Sequence, residues 1–304
     1  MPRDVAELRR RGPRPDRAAS PWGLGGLSVA RLAQRVYRRL WEDEILDRAA
    51  GLSYYFSFAL FPTLLFLTAL LGLLPFPDAM SRLLGYADRV LPPDAASLLR
   101  KTLAEIVTGA SGSLLSLGVL AALWAASSGM LSIMTALNVA YRVVEHRPWW
   151  RIRLTALALT CGFSAFALVG LLLLVFGGGI GRVVAGGIGL GGAFTLTWAV
   201  LQWPAAILLV VTALSLVYWL APAAGRRWYW ITPGSIFAVL TWLLMSLGLR
   251  VYVALVGNYN ATYGSIGGVI LLMLWLYLSG VALLIGAEIN SAVERAAAEP
   301  TAVP

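Results

Sequence analysis

The sequence predicts an all-α, polytopic membrane protein with six transmembrane helices, additional amphipathic surface helices, and cytoplasmic N- and C-termini. The first observation is composition: 59% of the 304 residues are hydrophobic and 13% are charged, whereas soluble domains carry about 25% charged residues. The second is length, because six apolar stretches each reach the ~20 residues that a helix needs to cross a bilayer. The third is charge, because most of the 24 lysine and arginine residues lie in segments that this topology places in the cytoplasm.

The chain begins with a basic region that has no span of its own. Residues 1–26 are rich in arginine and proline, which predicts a disordered cytoplasmic tail. Residues 27–48 repeat apolar residues at helical spacing, which predicts an amphipathic helix at the membrane surface. Its basic face carries Arg31, Arg35, Arg38 and Arg39. Two interpretations stay open: these arginines bind the headgroups of membrane lipids, anionic on the cytoplasmic face, or the helix packs on the membrane domain.

The membrane domain is predicted to occupy residues 49–293. The six spans are predicted at about 49–74, 113–137, 152–176, 193–220, 231–256 and 265–287. An extracytoplasmic helical loop, 75–112, is too charged to insert, and residues 294–304 form a flexible cytoplasmic tail. Pro62 and Pro204 fall inside spans and are predicted to kink them, because proline removes a backbone hydrogen bond.

Glu288 is the ionisable residue that the sequence singles out, because a carboxylate in a membrane helix is costly unless it reaches water or a partner. It is either a functional residue, as a proton or cation site or as the partner of a moving arginine, or an interfacial residue. In the second case it would pair with Arg48, Arg151 or Arg153. Other polar residues of the membrane region are predicted to line an inner cavity with it. They are Asn290, Tyr54, Tyr55, Asn138, Gln202, Tyr252, Tyr259, Asn260 and Tyr263.

The residue types present argue against several kinds of chemistry. Cys161 and His146 are the single cysteine and histidine, so the sequence predicts no disulfide, metal site or cofactor. RNA hydrolysis needs a general acid and base or metal-binding carboxylates, and the pattern shows no such constellation. Nucleic acid is not expected as a partner, because no aromatic residues interleave with the N-terminal arginines. The glycines at 187–192 match GxGxxG, but they lack the flanking strand of a dinucleotide site.

Three blocks of sequence resemble a known family. They read AAGLSYYFSFALFPTLL, ALNVAYRVVEHRPWWRIR, and TPGSIFAVLTWLL followed by YNATYGSIGGVILLMLWLYLSGVALLIGAEINSA. Their order and spacing resemble the YihY/BrkB family of bacterial inner-membrane proteins, which carries a ribonuclease BN-like label. The resemblance covers roughly residues 40–293. It implies a multi-pass protein of the bacterial inner membrane with six helices, and it does not imply one activity.

Three functions follow as hypotheses. The polar residues and prolines within spans favour a transporter or flippase of a lipid or an amphiphilic anion in the cell envelope. The amphipathic segments favour a non-transporting scaffold or regulator of envelope assembly. The third hypothesis is the ribonuclease that the family label implies.

Overall fold

The computed structural model of the chain describes residues 20–72, 85, 112–188, 191–225, 228–256 and 265–299. These residues form helices, turns and connecting segments, and they include no β-strand. A short 3-10 helix, Pro21–Gly26, precedes seven α-helices. In chain order these are α1 (Val29–Glu42), α2 (Ile45–Gly72), α3 (Gly112–Ala140), α4 (Trp149–Ile188), α5 (Gly191–Leu220), α6 (Pro233–Val256) and α7 (Ser265–Ala298). Of the predicted outer loop 75–112, the structure describes only Gly85 and Gly112. Residues 1–19 of the N-terminal tail and 300–304 of the C-terminal tail also lie outside the described residues.

The prediction of an all-helical membrane protein is confirmed for the described part of the chain. Five of its helices, α3 to α7, contain stretches long and apolar enough to cross a membrane. These stretches are Gly118–Ala140, Trp149–Leu173, Val200–Leu220, Pro233–Val253 and Gly267–Ala298. Helix α2 has 28 residues but is not among these five. Helices α2 and α5 continue through Pro62 and Pro204, and a kink at either residue stays a prediction.

Besides α7, which continues to Ala298 and so into the predicted tail 294–304, two helices have boundaries that differ from the sequence-based prediction. The helix predicted over 27–48 ends at Glu42, and Glu44 adopts a left-handed backbone with φ 50°. The chain therefore turns, and Ile45 to Arg48 belong to α2. In the second case, α4 runs for 40 residues to Ile188, beyond residue 176, where the third span was predicted to end. Glycine disfavours helix by about 1 kcal/mol, yet the helix continues through Gly177, Gly181 and Gly187.

Helix α7 is the axis of the described structure. It packs against α6, α2, α3, α1 and the 3-10 helix. Its 34 residues span about 50 Å at 1.5 Å per residue, whereas the hydrocarbon core of a bilayer is about 30 Å thick. Helix α7 is therefore longer than one straight crossing needs, and α1 packs on its C-terminal part through Leu32 and Val36 against Ala292 and Val293.

The most completely buried residues lie at one end of the bundle, which we call the α1 end. They come from the starts of α2 and α4 and from the ends of α3, α5 and α7. Examples are Ile45, Leu52, Met134, Leu137, Leu159, Tyr218 and Leu284. At the same end, α6 and α7 touch through glycines: a Cβ on Gly234 would collide with the carbonyl oxygen of Gly286 and with Asn290. The absence of two side chains thus allows the two backbones to meet.

This contact predicts that Gly234→Ala destabilises the protein by about 1–3 kcal/mol, the usual cost of overpacking. The free energy of unfolding in detergent micelles measures the effect. Gly248→Ala is the matched control, because Gly248 lies in the same helix and a Cβ there meets no atom within 4 Å. Equal stability of the two variants would contradict the proposed contact.

Candidate functional site

Glu288 lies on α7 with 0% of its surface exposed. Neither carboxylate oxygen receives a hydrogen bond from the described residues. The guanidinium of Arg39 approaches it, with Nη1 at 3.8 Å from Oε2. The Asp43 carboxyl group also lies close enough to interact with Glu288. A buried carboxylate with one cation and no hydrogen-bond donor is incompletely compensated for its loss of water.

Arg39 reaches Glu288 because of its position on α1. Leu32, Val36 and Arg39 recur at spacings of four and three, so they share the face that packs on α7. Arg39 is 8% exposed, and its Nη1 also donates to Ser291 Oγ at 3.4 Å. Burial lowers the pKa of Arg39 below its usual range, and Arg295 and Arg142 lower it further, while Glu288 opposes the shift. The distance of 3.8 Å and the burial of both side chains make this contact a salt bridge within the protein interior.

The partners expected for Glu288 were wrong. Arg48 Nε donates to the carbonyl of Asp43 at 2.9 Å. Arg151 lies over the Trp150 ring at 5.0 Å, and Arg153 Nη2 donates to the carbonyl of Trp124 at 2.6 Å. Arg39 contacts Glu288 instead because α1 folds back over α7, a long-range contact that no local pattern encodes.

A second group of charges lies beside the pair, at the turn after α3. Arg142 adopts a left-handed backbone, φ 53°, and the turn is closed by two bonds: Val143 N to Asn138 O, 2.8 Å, and Arg142 N to Val139 O, 2.7 Å. This is the Schellman arrangement, in which glycine is usual. The Arg142 side chain binds Glu42 at 3.0 Å and Asp43 at 3.2 Å. The hydrogen bond that Arg142 donates to Asp43, followed by the one it donates to Glu42, raises the pKa of Arg142.

Asn138 organises the loop of residues 141–148. Its Nδ2 donates to Glu145 Oε2 at 2.9 Å, and its Oδ1 accepts from Ala223 N at 2.8 Å. Arg147 Nη2 donates to Glu145 at 2.7 Å and to the Ala221 carbonyl at 2.8 Å. Hydrogen bonds from Arg147 lower the pKa of Glu145 to about 2, against the effect of burial. These bonds tie the loop to the end of α5.

Asn290 has a structural role at the start of α6. Its Oδ1 accepts from Gly234 N at 2.9 Å, and its Nδ2 donates to Thr232 Oγ1 at 3.0 Å. Thr232 is the N-cap of α6, because its Oγ1 accepts from Ser235 N at 3.1 Å, and Pro233 occupies the favoured first helical position. Asn290 thus completes the cap and fastens α6 to α7.

The remaining residues predicted to line a cavity do not gather around Glu288 in the described structure. Tyr54, Tyr55 and Tyr252 are 54%, 52% and 45% exposed. Gln202 is half-buried on α5, and its Oε1 is a buried atom without a hydrogen-bond partner in the described part. The other three, Tyr259, Asn260 and Tyr263, lie outside the described residues.

The arginines of α1 divide between two environments. Arg31 and Arg38 are exposed, and Arg38 pairs with Glu42 at 3.1 Å. Arg35 is partly exposed and binds Glu299, whereas Arg39 is buried. Sequence reasoning grouped the four on one basic face and missed the buried position, although the spacing of Leu32, Val36 and Arg39 is a signal that could have found it. Among the described residues, no three His, Cys, Asp or Glu side chains are grouped as a metal site would need.

Comparisons with known proteins agree on the family. The family model described as virulence factor BrkB matches residues 36–303. The ribonuclease-like protein YfkH of Bacillus subtilis (strain 168) is 37% identical over 262 residues, which cover 86% of this chain and 94% of that protein. No solved structure matches this chain.

More distant relatives are longer than this chain. The UPF0761 membrane protein Smlt0865 of Stenotrophomonas maltophilia (strain K279a) is 26% identical, over 85% of this chain and 59% of that protein. The UPF0761 membrane protein XOO3417 of Xanthomonas oryzae pv. oryzae (strain MAFF 311018) is 24% identical, over 88% of this chain and 62% of that protein. The chain therefore spans less than two thirds of these two relatives.

The buried pair predicts strong coupling in a double-mutant cycle. Arg39→Met alone leaves Glu288 buried without its cation and is expected to cost about 3–5 kcal/mol of unfolding free energy. The double variant Arg39→Met, Glu288→Met removes both charges and is expected to cost clearly less than the sum of the single variants. Denaturant titration in detergent micelles measures all four corners of the cycle. Strictly additive costs would show that the two side chains are not coupled.

The contact between Glu145 and Arg147 is expected to make the stability of the protein sensitive to acid. A depressed carboxyl pKa contributes stability that is present above the unfolded value, 4.5, and is lost as pH falls towards 2. We expect Arg147→Gln to lower the unfolding free energy at neutral pH by about 1–3 kcal/mol and to flatten its pH dependence across that window. The matched control is Arg151→Gln, an exposed arginine in the same segment. If the unfolding free energy of Arg147→Gln depended on pH as strongly as that of the wild type, Arg147 would not be the cause of the low Glu145 pKa.

Proposed function

The chain belongs to the virulence factor BrkB family of membrane proteins, and from this premise we propose that it is a transporter or flippase that moves a lipid or an amphiphilic anion. The observation that carries the proposal is the fully buried carboxylate of Glu288 facing the buried guanidinium of Arg39. An ionisable residue inside a membrane helix is by default a candidate for a transport pathway. A buried ion pair also adds little net stability over apolar packing, so stability alone is a weak reason to have one.

In the proposed mechanism, Arg39 exchanges between two anionic partners. At rest it faces Glu288 at 3.8 Å. When an anionic substrate enters at the α1 end, the guanidinium binds the substrate instead, because a bidentate contact with a phosphate or carboxylate is stronger than the long contact with Glu288. Glu288, left buried without a cation, is then neutralised by a proton. Movement of the anion and uptake of the proton are thereby linked.

The proposed topology has six crossings, with α2 as the crossing additional to the five apolar stretches of α3 to α7. Both termini face the cytoplasm, and the membrane is the bacterial inner membrane. The distribution of arginines supports this orientation. In that orientation the α1 end, with Arg39, Arg142 and Arg147, is on the cytoplasmic side.

A second candidate is a non-transporting scaffold or regulator of envelope assembly. The observation that favours it is the exposure of Tyr54, Tyr55 and Tyr252, which are on the surface rather than in one cavity with Glu288. Exposed aromatic side chains on membrane helices suit contact with another protein as well as contact with lipid. Co-purification of a stoichiometric partner would favour this candidate.

The transport proposal is tested in proteoliposomes. Fluorescent anionic and zwitterionic phospholipids are followed across the bilayer by quenching from outside, with and without a pH gradient. We expect Glu288→Gln to slow movement by about tenfold, the effect of roughly 1.4 kcal/mol on the barrier, and to abolish the response to the gradient. Glu294→Gln is the matched control, because Glu294 is an exposed carboxylate on the same helix. Full activity of Glu288→Gln would remove Glu288 from the pathway, and no movement of any lipid would favour the scaffold.

A further inference from the structure

The surface of α1 forms one side of an open basic groove. The groove has a volume of about 840 Å³ and lies between α1 and the C-terminal end of α7. Four arginines line it: Arg31, Arg35, Arg38 and Arg39. The lining carboxylates are Glu42 and Glu299, so positive charge is in excess. Such an excess around a concave surface attracts an anion.

Arg35 presents the part of the groove with the most specific geometry. Its Nη1 and Nη2 donate to the two carboxylate oxygens of Glu299, both at 3.0 Å. This parallel arrangement is the one by which arginine also binds phosphate. The Glu299 side chain is 57% exposed, so water can replace its contact with Arg35. Glu299 thus occupies the position that a phosphate would take.

Arg31 is a second donor that an anion can reach. It is exposed and forms no ion pair with the described residues. It lies one helical turn before Arg35 in α1, so the two guanidinium groups emerge on the same side of the helix. Two guanidinium groups on one side of a groove are suited to a headgroup with several oxygen acceptors.

Two aromatic side chains at the same groove indicate which kind of anion it takes. Tyr37 and Trp41 are 64% and 63% exposed, and their rings pack edge to face at 6.4 Å. Exposed Tyr and Trp side chains are characteristic of the boundary between headgroups and acyl chains. A soluble phosphate would gain nothing from them, whereas a phospholipid can place its phosphate at the arginines and its glycerol backbone at the rings.

We propose that this groove binds the headgroup of an anionic phospholipid, with Arg31 and Arg35 as phosphate ligands and Glu299 as an intramolecular competitor for Arg35. The site holds a lipid at the α1 end whether or not that lipid is moved, so the inference goes beyond the transport proposal and does not depend on it. It assigns α1 a partner, the membrane surface, in addition to its contact with α7. Removing Glu299 is then expected to strengthen binding, the opposite of what damage to the fold would do.

The test uses the full chain purified in a neutral detergent. Three probes are titrated separately: dioctanoyl phosphatidylglycerol, dioctanoyl phosphatidylcholine and inorganic phosphate. The shift of the thermal unfolding midpoint reports binding to the folded protein. We expect phosphatidylglycerol to shift the midpoint, Arg31→Gln to weaken its apparent affinity about fivefold, and Glu299→Gln to raise it severalfold. Arg250→Gln, which removes the same charge from the far part of α6, is expected to leave the affinity unchanged.

Several outcomes would overturn the proposal. An equal shift with phosphatidylcholine would show that the acyl chains alone bind. An equal affinity for inorganic phosphate would make the groove a simple anion site without a lipid. Weaker binding in Glu299→Gln, or unchanged binding in Arg31→Gln, would show that the groove is not where phosphatidylglycerol binds. Failure of lipid movement in proteoliposomes, with these binding results intact, would count against transport of a lipid and leave this proposal standing.

Discussion

The contact between Arg39 and Glu288 is the constraint on which the α1 end of the protein depends. A carboxylate that is 0% exposed on the central helix requires a cation or a proton, because burial of an isolated charge costs many kcal/mol. The cation comes from α1, which lies outside the five apolar stretches. The position of α1 over α7 is therefore tied to the charge state of the pair. Any motion that lifts α1 exposes or neutralises Glu288.

Neighbouring charges hold this arrangement in place. Arg142, in a left-handed turn after α3, binds Glu42 and Asp43 at the junction of α1 and α2. A left-handed arginine costs about 1–2 kcal/mol, and its ion pairs offset that cost. Arg295 Nη2 donates to the carbonyl of Tyr141 at 2.8 Å, which connects α7 to the same turn. The junction thus joins α1, α2, α3 and α7 through polar contacts.

Close backbone packing complements these charges at α6. Gly234 and Gly286 allow α6 and α7 to touch, and Asn290 bonds to the N-cap of α6. Apolar attraction between helices is weak in lipid, so close packing and hydrogen bonds stabilise such contacts. The α1 end therefore contains one tightly bonded part, at α6, and one part held by a long ion pair, at α1. The transport proposal assigns movement to the second part.

The sequence by itself determined the class of the protein and most of its helices. Long apolar stretches, the scarcity of charge and the ordered motif blocks need no tertiary information, because a bilayer imposes helix and length directly. Local rules also located part of the site: Glu288 was singled out as a carboxylate at the end of an apolar span. The continuation of α4 to Ile188 was missed because the segment after residue 176 is rich in glycine, which has a low helix propensity.

Only the tertiary structure decided which residues meet. Arg39 and Glu288 are 249 positions apart in the chain, and Arg48, Arg151 and Arg153 were equally reasonable partners by charge alone. Which arginine pairs with Glu288 depends on how α1 folds back on α7, and that arrangement is set by the apolar packing of Leu32 and Val36. Asn138 and Asn290 likewise looked like cavity residues, because an asparagine in a span is polar wherever it points. Their hydrogen bonds to Ala223 and Gly234 exist only once separate helices are brought together.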